Sequence, residues 1–413
     1  MKKIVTMIAI VLCVVLLGGI ATFMVKEKFL KPPVKEGLQT DSTVNKNTNN
    51  PATDNKPEGE GQNIDESVYK KSLSEIIETD YLLFLGLRDY EEPPHDSTVT
   101  VIPSSIIEKH PAPFYRTLFI NFKEQENPIL ETKELYFLKD GQIWNAGVVR
   151  CLYEKKWLED LIYVAPMTQE PFLQKADYNR MRVSNGTDTT IINYLSKNLM
   201  SVSFATEGVD PGLMHNWAYA KLAVLPTENM QNLYEYNVLI SEVLGEEGKK
   251  IMLEESNKAY LRSKNNDRLM QYSDEANWGM IHRNGEVSLI GRLDYNSEVG
   301  KGYFEDYTIP LEATTLLENT KLAPSWEAVK QKVGNAVDAV SSPDKKALVV
   351  ITNTELLIFK IVDETTWKEV LRYPLKPGEQ IVMCEWEKEN EEIKPVLEQF
   401  TAAEWYERLL HSY

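Results

Sequence analysis

"SPDKKALVVITNTELLIFKIVDETTWKEVLRYPLKPGEQIVMCEW", residues Ser342–Trp386, is the stretch on which the fold turns. Four apolar runs, Ala347–Thr352, Glu355–Val362, Lys368–Tyr373 and Gln380–Trp386, are parted by Asn, Asp, Pro and Gly, which favour turns. Each run reads as a strand, and four in succession look like one blade of a β-propeller. A propeller repeats its blade, whereas the turn pairs that begin at residues 140, 284 and 353 lie 144 and then 69 residues apart, which is no fixed period. The expectation is a four-stranded antiparallel sheet closed by a helix over Ala402–Leu410, with the propeller as the alternative.

Outward from this stretch the pattern stays β-rich. Glu134–Gly147 and Trp278–Gly291 each carry apolar runs on both sides of Asp140-Gly141 or Asn284-Gly285, dipeptides that supply the positive φ angles of a tight hairpin turn. Thr117–Phe122 reads as a further strand. Three helices are expected. The first covers Asp65–Glu78, with Ser72 and Glu75 spaced as a capping box. The second runs from Thr227 as N-cap, through Met230, Leu233, Tyr234, Ile240 and Leu244, to Gly245 as C-cap. The third lies in Ser325–Val337, after Pro324. The fold class is therefore α+β: an antiparallel β-rich domain with a few helices over residues 64–322, and a smaller β-rich C-terminal unit over 323–413.

The first 63 residues have a different composition. Ile4 to Val25 is a run of 22 uncharged residues between Lys2-Lys3 and Lys26, Lys28 and Lys31. A hydrocarbon core about 30 Å thick needs roughly 20 helical residues to cross, longer than the 7–15 of a signal h-region. Residues 1–30 thus read as a membrane anchor. The alternative is cleavage at Gly19-Ile20-Ala21, which would release the remainder as a secreted protein. With three residues ahead of the run, the large remainder is expected on the outer face of the membrane. Residues 31–63, rich in Pro, Asn, Thr, Gly, Lys and Glu, bury too little apolar surface to order and read as a disordered tether.

Charge limits the partners. Eight of the 45 basic and six of the 62 acidic residues precede residue 64, which leaves 37 against 56, a net of −19. Nucleic acid and anionic lipid reward clustered Lys and Arg, so neither is expected as a partner. A cell-envelope protein or glycan is. Beyond Cys13 there are two cysteines, Cys151 and Cys384, too few for a disulfide scaffold; paired or free thiols both fit their spacing. The five histidines are scattered and no Cys-x-x-Cys occurs, so neither a metal nor a cofactor is expected.

Asn198–Asn229 and Trp278–Leu317 resemble the extracytoplasmic domain behind the membrane anchor of bacterial lysozyme-receptor anti-sigma factors and of some peptidoglycan deacetylases. In that family a strand leads to a glycine-and-histidine loop, then a helical insert, then a hairpin and an Ile-Pro strand. Gly212, His215 and Ile309-Pro310 stand at those positions, within Leu73–Leu317. Met214 and Asn216 replace the family's small residue and proline beside the histidine, and no Asp-Asp-Gly-Pro run of a deacetylase is present.

One cluster emerges as a candidate binding site: Glu207, Asp210, His215 and Trp217 within eleven residues. Polar edges beside an indole ring suit a sugar, and the acids suit a cationic partner. Against this, Asp210-Pro211-Gly212 is also an ordinary turn. No catalytic carboxylate pair or Ser/His/Asp set can be named. The function expected is a membrane-tethered extracytoplasmic binding or sensory module of the cell envelope. A glycan-acting hydrolase and a structural subunit of a membrane complex are the alternatives.

Overall fold

The computed structural model describes residues 72–90, 112–153, 157–169, 185–210, 215–228, 237–264, 269, 273–294, 304–313, 321–363 and 365–390. The apolar run Ile4–Val25, the tether and the helix expected over Ala402–Leu410 lie outside them. Among the described residues no helix is long and apolar enough to cross a membrane.

The chain is β-rich. In order it forms β1 (Tyr81–Tyr90), β2 (Pro113–Ile120), β3 (Ile129–Lys133), β4 (Leu135–Lys139), β5 (Gln142–Tyr153), β6 (Trp157–Pro166), β7 (Asn185–Leu195), β8 (Leu199–Asp210) and β9 (His215–Pro226). Then come α1 (Ile240–Arg262), β10 (Trp278–Arg283), β11 (Glu286–Leu293), β12 (Glu305–Glu312), α2 (Trp326–Lys332), β13 (Asp338–Ser341), β14 (Ala347–Ile351), β15 (Glu355–Ile361), β16 (Trp367–Pro374) and β17 (Gln380–Lys388).

Ten strands make one mixed sheet in the order β3-β2-β1-β17-β7-β6-β5-β4, with β8 and β9 continuing from β7. Its two ends are one run of chain, because β3 and β4 are separated by Glu134 alone, at φ +71°. That left-handed residue bends the run, so β3 pairs with β2 while β4 pairs with β5. Glu134 N–H donates to the Tyr115 carbonyl at 2.9 Å and Tyr136 N–H to Thr117 Oγ1 at 2.9 Å, which closes the curl. Inside it Phe84, Phe119, Phe137, Ile192 and Val382 form an apolar core. Phe84 and Phe119 have their ring centroids 5.1 Å apart.

A three-stranded sheet, β10-β11-β12, shares a second core with α1 and with Tyr194 and Val224 of the large sheet. Trp278 is fully buried there and its indole N–H donates to the Val238 carbonyl at 2.8 Å. A four-stranded antiparallel sheet, β13-β14-β15-β16, is covered on both faces. Along β14, Ala347, Val349 and Ile351 face Leu83, Leu85 and Ile381 of the large sheet. Leu348 and Val350 face Val329 of α2. The continuous apolar run ALVVI follows from this double covering.

Several expectations are corrected. The C-terminal sheet has four strands, but its members begin with β13; the run Gln380–Trp386 leaves it and lies between β1 and β7. The described residues of the first expected helix are not helical: Ser72 forms an isolated bridge with Glu126, and the Leu73 and Ile77 N–H groups donate to the Gln125 and Phe122 carbonyls. A spacing of four residues repeats both a 3.6 and a 2.0 period, so Leu73 and Ile77 share a buried face either way. Glu75 bonds Lys360 and Lys368 instead of capping a helix.

The second helix starts at Ile240, beyond the Thr227 assigned as its cap. Thr227 is buried, with its hydroxyl between Lys139 Nζ and the Lys197 carbonyl. Gly245, at φ +68°, interrupts α1 as a C-cap glycine would, and helix then resumes to Arg262. The hairpins at Asp140-Gly141 and Asn284-Gly285 are as expected; the strand expected over Thr117–Phe122 is the end of β2, which starts at Pro113 and stops at Ile120, and the helix expected within Ser325–Val337 covers Trp326–Lys332. Cys151 and Cys384 are unpaired thiols. Residues Ile64–Tyr413 cluster as one unit and Met1–Asn63 as another.

Candidate functional site

The tight turn Asn284-Gly285 sets one wall of the site. Both residues have positive φ, 54° and 81°, so β10 and β11 meet in a two-residue hairpin that carries His282 and Arg283 to its end. β13 approaches this end and presents Asp338. One carboxylate oxygen of Asp338 lies 2.6 Å from His282 Nδ1, and the other accepts from Gly285 N–H at 2.7 Å and Ala339 N–H at 2.9 Å. The side chains of His282 and Asp338 are each 5% exposed. The carboxylate therefore staples the hairpin tip to the four-stranded sheet, and with Nδ1 engaged the ring's orientation is set.

On one side of His282 opens a cleft of about 220 Å³. Its apolar lining is Ile281, Ile351 and Ile381, with the exposed Val337 at its edge, and its polar lining is Arg88, Asn193, Arg283 and Gln380. These residues come from β1, β7, β10, β13, β14 and β17, so the cleft exists only where the three sheets meet. Arg88 organises the polar lining: Nη1 donates to the Ile192 carbonyl at 2.9 Å and to Asn193 Oδ1 at 3.1 Å, and Nη2 to Gln380 Oε1 at 2.5 Å. Arg283 is held across β10, β11 and β12, with Nε donating to Ser288 Oγ at 3.1 Å and Nη2 to Thr308 Oγ1 at 2.8 Å.

On the other side of His282 lies a much narrower pocket, about 30 Å³, bounded by Tyr194, Ser341, Cys384 and Trp386. Cys384 and the His282 imidazole thus border one pocket, with the Asp338 carboxylate behind the imidazole at Nδ1, the residue types of a thiol enzyme. The electrostatics oppose that chemistry. Burial, with the Glu385 and Asp338 charges behind it, pushes the Cys384 thiol far above its ordinary value, against a smaller opposite effect of its contact with Trp386. A thiolate is the reactive form, so this cysteine is inert at neutral pH. Among the described residues the cleft contains a single carboxylate, Asp338, and no group of three or more His, Cys, Asp or Glu is arranged to hold a metal.

The four residues singled out from the sequence stand elsewhere. Glu207 and Asp210 end β8, His215 and Trp217 begin β9, and the segment is a hairpin whose connection, 211–214, is outside the described residues. The backbone register pairs Asp210 with His215, Gly208 with Trp217 and Glu207 with Ala218. The described lining of the cleft comes from other elements, β1, β7, β10, β13, β14 and β17.

Sequence reasoning reached the hairpin but not His282, Arg283, Asp338, Arg88 or Gln380 as a group. Their separations along the chain carry no motif. The one usable signal was His282-Arg283 immediately before a type I′ turn, where side chains end at the rim of a sheet. No protein-family model matches the chain, and no curated protein matches it.

Proposed function

We propose that the chain is a membrane-tethered extracytoplasmic binding or sensory module of a bacterial cell envelope. The observation that carries binding is the cleft: apolar side chains beside oriented hydrogen-bonding groups, built from six strands and, among the described residues, with no ionised nucleophile and no second carboxylate. Small-molecule sites have this composition, whereas glycan hydrolysis needs two carboxylates flanking one bond. The uncharged run Ile4–Val25, the polar tether and the acidic remainder support the tethered, outward placement. The family resemblance implies the order strand, loop, helical insert, hairpin and Ile-Pro strand; β8, α1, β10–β11 and β12 keep that order, with the additional strand β9, which begins at His215, between β8 and α1. Among the described residues, the exposed large apolar side chains are Leu253 and Leu261 of α1, Phe304 before β12, Val337 before β13 and Val362 after β15, which favours a module over a subunit packed into a complex.

The test is topological. Intact cells expressing the full chain are treated with an external protease that cannot enter them. The expected result is loss of the full-length band and release of a soluble fragment close in size to residues 64–413. Full protection in intact cells, with cleavage only after lysis, would place the domain inside and overturn the reading.

A further inference from the structure

We propose that the cleft at the meeting of the three sheets binds a small organic anion, a carboxylate carried on an apolar body, with Arg283 as the anchor. The inference deepens the binding-module reading and rests on it.

Arg283 is the first reason. Other guanidinium groups of this acidic chain are neutralised: Arg116 by Glu379, Arg150 by Asp160, Arg292 by Asp306 and Arg372 by Glu369. Arg283 bonds only hydroxyls, those of Ser288 and Thr308, and among the described residues no carboxylate lies within ion-pair distance of it. The two hydroxyls use Nε and Nη2 and hold the plane of the group still, which leaves Nη1 as an oriented, charged donor in the cleft wall. A positive charge kept in place by neutral partners beside an apolar lining is the arrangement that receives a carboxylate.

Gln380 is the second. Arg88 can only donate, so the oxygen of the Gln380 amide must face it, and this assigns the amide nitrogen to the opposite direction. The same logic applies at Asn193, whose oxygen accepts from Arg88 while its nitrogen donates to Ser203 Oγ. The Gln380 amide nitrogen is therefore not engaged by Arg88, and with Gln380 in the cleft wall it is the second donor assigned to the anion.

Asp338 is the third. Among the described residues it is the one carboxylate in the wall, and each of its oxygens is already engaged, by His282 Nδ1 on one side and by the Gly285 and Ala339 N–H groups on the other. The cleft thus presents donors and few free acceptors, which selects against a cation. Size narrows the class further. A volume of about 220 Å³ is below the roughly 300–1,000 Å³ of sites for drug-sized ligands, so the cleft holds a small group and not the whole of a large cofactor. Ile281, Ile351 and Ile381 in the lining call for an apolar portion that a bare inorganic ion lacks.

A matched pair of probes tests this. The full-length chain in detergent micelles is titrated by calorimetry with N-acetyl-leucine and with its neutral analogue N-acetyl-leucinamide, at low ionic strength. The acid is expected to bind at least tenfold more tightly than the amide. Arg283→Gln and Gln380→Ala are each expected to weaken the acid by about fivefold or more, with thermal melts confirming that both variants fold. Arg372→Gln, which removes an ion-paired guanidinium elsewhere, is expected to leave acid binding unchanged. Inorganic phosphate at the same concentration is expected not to displace the acid. Equal binding of acid and amide overturns the anion inference while leaving a cleft that binds. Acid binding that survives both Arg283→Gln and Gln380→Ala moves the site elsewhere and overturns it. No binding of either probe, or full displacement by phosphate, also overturns it. The membrane placement stands or falls separately on the protease experiment.

Discussion

Asp344 shows how one side chain couples distant segments. Burial alone would raise its carboxyl, but the hydroxyls of Ser342 and Thr79 and the backbone N–H groups of Lys346 and Asp80 hold it below its ordinary value of 3.8. Thr79 donates to both carboxylate oxygens at 2.9 Å from 265 residues away, so the ionised group pins the segment before β1 to the turn before β14. The sign follows from linkage: a carboxyl with a lower pKa folded than unfolded binds protons more readily in the unfolded chain. Its contribution is complete above the unfolded value, near pH 4, and is lost as pH falls through the lower folded value. Asp344→Asn is expected to lower stability at pH 7 by about 1–2 kcal/mol, the scale of a lost charge-assisted bond discounted for partial exposure. It should also flatten the pH dependence of urea unfolding between about pH 5 and pH 2. Parent and variant curves that stay parallel over that range would remove this role from Asp344.

At the scale of elements, the two dipeptide turns are a controlled comparison. Asp140-Gly141 and Asn284-Gly285 have nearly the same backbone, with φ of 52° and 70° in one and 54° and 81° in the other. Their surroundings differ. A Cβ on Gly141 meets nothing within 4 Å, whereas one on Gly285 falls 2.3 Å from Leu322 Cδ2 and 3.2 Å from its Cβ. Gly141→Ala is expected to cost only the left-handed backbone penalty, about 1–2 kcal/mol. Gly285→Ala adds displacement of Leu322 and a disturbed Gly285 N–H bond to Asp338, so it should cost at least 1 kcal/mol more, read as the difference in urea midpoints. Equal costs would mean that the hairpin tip is not packed as described. These turns were legible in the sequence because their chemistry is local: a positive φ at two adjacent positions needs Asn or Asp followed by Gly. α1 was largely illegible. Its buried face after the kink is Gly248, Met252, Ser256 and Ala259, small or polar residues that write no hydrophobic stripe. The cleft was illegible for another reason, since Arg88, His282, Asp338 and Gln380 become neighbours only through the order of strands in three sheets. Even the C-terminal strands, each visible on its own, did not reveal which sheet the last one joins.

That last strand governs the behaviour of the whole molecule. β17 pairs antiparallel with β1 from Tyr81↔Lys388 to Arg88↔Gln380, and touches β7 at Met383↔Leu195. Just before it, Glu379 is buried and grips Arg116 of β2 through both carboxylate oxygens. Ile381, Val382 and Met383 are buried, and full burial of such side chains contributes about 1.5–3 kcal/mol each. Their sum approaches the roughly 5–15 kcal/mol by which a whole domain is stable. The four-stranded sheet is joined to the same strands through Leu83, Leu85, Val349 and Ile358 in one continuous core. A cut in the chain between the two regions should therefore not part them. Lys321 and Ser325 are exposed and offer a site for limited proteolysis. After nicking at 321–325, the two fragments are expected to elute together in native gel filtration, to retain one cooperative thermal transition, and to separate only in denaturant. A C-terminal fragment that elutes alone and folded would show instead that the sheet β13–β16 is an independent domain, with β17 a detachable strap rather than a strand of the shared core.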